Sequence, residues 1–190
     1  MAGEKGRGAK ASPIATLAKQ TRHLVGDARG AALIEFAMIA GPLFALLIAI
    51  VETSIVFLAQ QSLETAAEAA ARTLMTGQAQ KANLTQVQFK ASACAVLPPP
   101  LKFSNLMIDV ETASTFSAVD TTKPTISYDS SGNVSNTWNY TPGGAQSIVI
   151  MRLLYVWPVS LGPLGFNLAN SGTGKRLLVA TSVFQTEPYV

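Results

Sequence analysis

Apolar and polar residues follow one another along this chain in three patterns. Over residues 36–51 every position is apolar, Gly or Pro; Glu52, Thr53 and Ser54 interrupt, and residues 55–59 resume the apolar run. At 1.5 Å per residue, residues 36–59 reach about 36 Å, enough to cross a bilayer with some tilt. The pattern predicts a transmembrane helix at about 36–59, with Glu52 near its far interface. Pro42, one or two turns in and beside Gly41, frees a carbonyl and kinks or loosens that helix.

The second pattern has the period of a helix with one dry face. Leu58, Leu63, Ala66, Ala67, Ala70 and Leu74 keep an apolar stripe, while Glu64, Glu68 and Arg72 mark a polar face. Glu64 and Glu68 repel at i, i+4, whereas Glu68 and Arg72 attract. The alanines favour helix, and Gly77 supplies a stop. One helix over residues 31–76, about 70 Å long, is therefore predicted, half in lipid and half outside. A shorter helix follows from about 85 to 97, with Val87, Ala91, Cys94 and Ala95 on one side. Asn83 or Thr85 caps it, and Pro98-Pro99-Pro100 ends it.

The third pattern is strand. Residues 103–113, 148–157 and 177–184 are rich in β-branched and aromatic side chains; in the last, Leu177, Val179, Thr181 and Val183 alternate with Leu178, Ala180, Ser182 and Phe184. Residues 114–144 are rich in Ser, Thr, Asn and Gly, with room for a weak hairpin over 126–140. Residues 157–174 read as a loop closed by a turn at 171–174. The expected fold class is α+β: a long N-terminal helix, its transmembrane half followed by an extracytoplasmic half, packed on a small, mainly antiparallel sheet of three to five strands. The expected domains are a basic leader at 1–30, the long helix at 31–76 and an extracytoplasmic α+β domain at 77–190.

Charge changes the picture because it is unevenly placed. The chain carries a formal +3, but residues 1–30 hold six basic groups (Lys5, Arg7, Lys10, Lys19, Arg22, Arg29) against Glu4 and Asp27, a net of +4. The remainder holds eight basic and nine acidic groups, a net of −1. Without a basic stripe beyond the leader, no nucleic-acid partner is expected. A basic N-terminal segment keeps that side cytoplasmic and places the C-terminal domain outside the cytoplasm.

Candidate chemistry is sparse. The single histidine, His23, lies in the leader, and Cys94 is the single cysteine. No Ser-His-Asp or Cys-His pair and no ordinary zinc site can be assembled from the rest, and no internal disulfide. Cys94 reads as a small buried apolar group on a helix. Gly172-Thr-Gly174-Lys175 departs from a phosphate loop in carrying Arg176 where Ser or Thr belongs, with no helix after it; it reads as a turn. Asp109 and Glu111 share one face of a strand, read as solvated. Neither an enzyme nor a metal or cofactor site is expected.

The junction Arg29-Gly30-Ala31-Ala32-Leu33-Ile34-Glu35-Phe36 remains. A carboxylate at the edge of hydrocarbon costs about 2–3 kcal/mol or more unless a positive group meets it. Cleavage after Gly30 supplies that group, because the new α-amine of Ala31 lies about one helical turn from Glu35. Glycine, with no side chain, also admits a peptidase close to the backbone.

Gly30-Ala31-Ala32-Leu33-Ile34-Glu35-Phe36, continued by Ala37-Met38-Ile39-Ala40-Gly41-Pro42, resembles the N-terminus of the TadE-like pseudopilins of tight-adherence (Tad, Flp-type) pili. Glu52, the alanine-rich continuation and the ending Phe184-Gln185-Thr186-Glu187-Pro188 are also similar to that family. The resemblance implies processing by a membrane prepilin peptidase between Gly30 and Ala31, with Glu35 as the family's acid and Phe36 beside it. It implies a pilin-like fold and a minor pseudopilin that helps initiate or assemble an adhesive pilus. The partners would be other major and minor pilins and an inner-membrane assembly platform, with the protein a single-pass component of the inner membrane. The alternative reading is an uncleaved, membrane-anchored extracytoplasmic adhesin or binding domain.

Overall fold

The computed structural model describes residues 28–97, 101–120, 122, 124–159, 162–171 and 174–188. Most of the expected leader, and the prolines at 98–100, lie outside the described residues. Helix α1 (Ala28–Met75) is followed by a single turn, α2 (Gln78–Lys81), and by α3 (Gln86–Cys94). Strands β1 (Leu106–Ala113), β2 (Ile148–Pro158) and β3 (Lys175–Gln185) form one antiparallel sheet in the order β1-β2-β3. Among the described residues the sheet has three strands, at the low end of the expectation. The chain divides into two compact units, residues 1–47 and 48–190.

In the first unit the described residues are helical and their large side chains are uncovered, Leu33, Ile34, Phe36, Met38 and Ile39 among them. In the second, the remainder of α1 turns a stripe of Val56, Ala59, Leu63, Ala66, Ala67, Ala70 and Leu74 into the core. The steps of three and four residues keep these on one side of the helix. Leu58, expected in that stripe, is instead 66% exposed. It lies five residues before Leu63, about 140° around the helix, and so points away from the sheet. Gly77 adopts φ 72°, the left-handed conformation that ends α1.

The sheet is covered on both faces. Towards α1 point Ile108 and Val110 of β1, Val149, Met151, Leu153 and Tyr155 of β2, and Leu178 and Ala180 of β3. On the other face Met107, Leu154, Val156 and Leu177 meet Ile126, Val134 and Trp138 from the connection between β1 and β2. Double coverage explains why β2 reads as a nearly unbroken apolar run instead of an alternating one. The expected hairpin in that connection reduces to one antiparallel bridge, Tyr128 with Val134, and Tyr140 makes a parallel bridge to Val110.

Helix α3 departs from the expected face. Thr85 caps it, its side chain accepting from the Gln88 N–H while the Gln88 side chain accepts from the Thr85 N–H. Phe89 and Ala93 are buried, whereas Val87 is 68% exposed and Ala91 is also exposed. One aromatic ring offers more apolar area than several small side chains together, and it decides which side packs.

Two long-range bonds set the direction of β3. The Gln60 side-chain amide donates to the Val179 carbonyl at 3.0 Å, and the Glu187 N–H donates to the Met75 carbonyl at 2.8 Å. Strand β3 therefore runs the same way as α1, with Val179 beside Gln60 and the residues after its end beside Met75.

Candidate functional site

The first turns of α1 carry the predicted junction. Gly30 and Ala31 lie in its opening turn, and Glu35 and Phe36 follow a turn later. Ala31, Glu35 and Phe36 are all exposed, the last at 67%. The helical spacing puts Ala31 and Glu35 on one face, about 5–6 Å apart at Cβ. The bond between Gly30 and Ala31 is helical here, not extended. A glycine there adds about 1 kcal/mol in favour of unwinding. No acidic residue occupies that first turn to steady it.

Further along, α1 continues through Pro42, and a side chain at Gly41 would meet nothing within 4 Å. Glu52 is half-buried. The hydroxyls that follow turn back on their own helix, Thr53 Oγ1 donating to the Ala49 carbonyl at 2.7 Å and Ser54 Oγ to the Ile50 carbonyl at 2.8 Å. The polar step thus satisfies the hydroxyl donors of Thr53 and Ser54 within the helix. The helix is long and apolar enough to cross a membrane, and its most apolar stretch is wholly uncovered by the rest of the protein.

The folded domain offers a charged cluster that sequence reading missed. Asp109 and Glu111 do not form a solvated face. Asp109 is buried, and its Oδ2 accepts from Arg152 Nη1 at 2.8 Å. Arg152 stands directly opposite Asp109 in the sheet register and is 3.8 Å from Glu111. Its other nitrogen donates to the Asp120 carbonyl, and the Asn139 N–H donates to Asp109 Oδ1 at 3.0 Å. The signal was present: a lone arginine amid the apolar residues of β2 needs a buried partner. These bonds tie the connection between β1 and β2 to the sheet and occupy both Asp109 oxygens.

Local environments shift few titratable groups. Backbone donation from Thr122 holds the Asp120 carboxyl below its ordinary value, and donation from Asn133 does the same for Asp129. Burial raises the Tyr140 phenol and the Cys94 thiol, the latter opposed by Lys90. Cys94 is half-buried on α3 and packs against the core. An open groove of about 520 Å³ is lined in part by Gln86, Lys90, Asn105, Trp138 and Lys175. Among the described residues no group of three His, Cys, Asp or Glu side chains is placed to hold a metal ion.

No curated protein and no solved structure matches the chain. Residues 30–72, which hold the junction, the apolar run and the alanine stripe, match the family model described as TadE-like protein.

Proposed function

We propose that this protein is a minor pseudopilin, cut by a prepilin peptidase between Gly30 and Ala31, that takes part in assembling or initiating a Tad/Flp-type adhesive pilus. The observation that carries the reading is the TadE-like match over residues 30–72, which opens at Gly30, the residue before the proposed cut. Cutting there removes the basic leader, residues 1–30, and starts α1 at Ala31. The new ammonium group then lies one turn from Glu35 and offsets its charge, on the same helix or a neighbouring one. Phe36 and the exposed apolar side chains beyond it supply packing surface for other pilins in a filament or assembly complex. Pro42 loosens the helix within that packing, and Glu52 marks its outer end. The extracytoplasmic domain, residues 77–190, rests against the outer half of α1. The partners are the peptidase, major and minor pilins and the inner-membrane assembly platform. The protein spans the inner membrane once, with the leader cytoplasmic.

The test is the N-terminal sequence of the membrane-extracted protein from cells with and without the peptidase. An Ala31 start that depends on the peptidase is expected. An N-terminus still within the leader in both strains would refute processing and leave an anchored, uncleaved domain. Glu35→Ala should be cut normally and fail to support piliation; normal pili from that variant would refute the role given to the acid.

A further inference from the structure

We infer that the second half of β3, residues 179–185, is an acceptor edge, which takes an extended segment of another protein as a fourth strand, apolar towards α1 and carrying a basic residue. In an antiparallel pair, successive residues turn their backbone N–H and C=O groups alternately to the partner strand and away from it. Just past β3 the Thr186 N–H donates to the Ser147 carbonyl at 2.9 Å, continuing the register that pairs Ile148 with Gln185. Even-numbered residues of β3 therefore face β2, and odd-numbered ones face outward. The outward groups at the start of the strand are closed. The Lys175 carbonyl accepts from the N–H groups of Asn170 and Ser171, and the Asn170 side chain bonds both the N–H and the carbonyl of Leu177. Gln60 takes the Val179 carbonyl, and beyond the strand the Glu187 N–H goes to Met75. Between these, the Val179 N–H and both backbone groups of Thr181, Val183 and Gln185 have no partner among the described residues. The other edge of the sheet is guarded. Val110 of β1 exchanges bonds with Asn139 and Thr141, and the Gln86 amide takes the Ile108 carbonyl.

Nothing in the strand discourages pairing. Free edges are ordinarily blunted by charge, proline or a bulge. Residues 177–186 contain no charged residue, proline or glycine, and β3 pairs with β2 residue for residue without a bulge. Thr181, Val183 and Gln185 are exposed. Room for the side chains of an added strand lies on both sides of the edge. A groove of about 560 Å³ between α1 and β3 has Ala71, Met75 and Phe184 as its apolar floor. Another of about 430 Å³ opens beside Gln60, Pro124, Val179 and Thr181. Alternation sends successive side chains of the incoming strand to the two sides, the apolar ones to the floor against α1. Charge narrows the occupant further. The first groove is lined by Glu68, Glu187 and Arg72, two carboxylates against one guanidinium, while the second has no charged lining residue. The salt bridges among the described residues all belong to Arg152, so neither carboxylate is neutralised in place. A lysine or arginine on the incoming strand is favoured there and an acid disfavoured. Main-chain bonds to the edge supply the affinity, and the two grooves supply the choice of side chains.

The test uses the full chain, isotopically labelled, in detergent micelles, with the acetylated and amidated peptide TVTVTK as the probe. NMR reads amide hydrogen exchange one residue at a time. Saturating peptide should slow exchange at Thr181 and Val183 about tenfold, and at Ala180 and Ser182, already bonded to β2, by less than about twofold. The same peptide N-methylated at alternate residues keeps its side chains and loses its donors; it should give no slowing. The peptide TVTVTE should bind about fivefold more weakly than TVTVTK, and the gap should close when Glu68→Gln and Glu187→Gln are combined. Val183→Pro removes an outward N–H and no bond to β2, so the unfolding temperature should hold while the slowing at Thr181 is lost. Val183→Lys keeps every backbone group and should lose the slowing too, because it places a charge on the edge. Absence of slowing at the solubility limit of the peptide overturns the inference. So does slowing by the N-methylated peptide, which marks side-chain contact without a strand, equal binding of the two charge forms, or slowing that survives in Val183→Lys. Slow exchange at Thr181 and Val183 before any peptide is added, relieved by dilution, overturns it in favour of a second copy paired edge to edge.

Discussion

Replacing Arg152 by Met tests how the domain is held together. Arg152 is 5% exposed, and its guanidinium is the close cationic partner of Asp109, itself 6% exposed. Removing one member of a buried pair leaves an uncompensated charge, at a cost of about 3–5 kcal/mol. Glu111 does not enter that sum, because it is 3.8 Å away and its side chain is 37% exposed, where a pair is worth about 0–1 kcal/mol. For a domain of this size the loss corresponds to a fall of about 10 °C in Tm. Asp109→Asn should cost less, since the guanidinium keeps the Asp120 carbonyl and gains on Glu111. The pair Asp109→Leu with Arg152→Met should recover most of the loss, because a well-packed apolar pair often replaces a buried ion pair without penalty. Thermal unfolding of the full chain in detergent micelles, followed by near-ultraviolet circular dichroism, reads all three. An unchanged Tm in Arg152→Met, or a double variant no better than that single one, would refute the account.

Three further outcomes follow from the packing. Gly143→Ala should destabilise by about 1–3 kcal/mol, because a Cβ there would lie 2.8 Å from Ser147 Cβ and 2.9 Å from Thr112 Cγ2 at a φ of +70°. Gly144→Ala, with nothing within 4 Å, should leave the unfolding temperature within error of the parent. Leu63→Ala, at a position with no exposure, should cost about 3–5 kcal/mol in the same thermal assay, while Phe57→Ala at 69% exposure should not loosen the domain. Burial raises the Tyr140 phenol, so its contribution to stability is whole below about pH 10, the unfolded value, and is lost as pH rises through the higher folded value. Tyr140→Phe, which removes a hydroxyl with no partner, should abolish that alkaline loss without lowering stability at neutral pH.

How far the fold could be read depended on whether the signal was local. The long helix, the cap at Thr85, the stop at Gly77 and the three strands each follow from spacing or from one residue's backbone preference. The packed face of α3 did not, because Phe89 competes there with Val87 and Ala91, and only the sheet beneath decides. The burial of Asp109 was illegible for a similar reason. Alternation places Asp109 and Glu111 on one face, but their fates divide according to Arg152, which lies 43 residues from Asp109 in sequence and opposite it in register. The junction at Gly30 was legible in full as a pattern, since glycine, acid, aromatic and apolar run are contiguous. Its helical conformation was not, because the same residues suit a strand bound to a peptidase and a helix in a membrane.

Where the folded domain begins along α1 was the hardest step to read, because a lipid and a protein core both select apolar side chains. Hydropathy alone carries the span to residue 59, yet Val56 and Ala59 belong to the core. Side-chain size separates the two surroundings where hydropathy does not. Over residues 43–51 the exposed positions are bulky: Leu, Phe, Ile and Val. From residue 59 onward the dry stripe is mostly Ala, at 59, 66, 67 and 70, which lets a sheet approach the helix backbone closely. Glu52, Thr53 and Ser54 fall between the two. A bulky apolar residue in place of Ala66 or Ala67 would leave hydropathy unchanged and still disrupt the domain, because the space above the helix there is filled by β-strand side chains. One continuous helix thus carries exposed bulky apolar side chains before the polar step and forms the floor of the domain core after it.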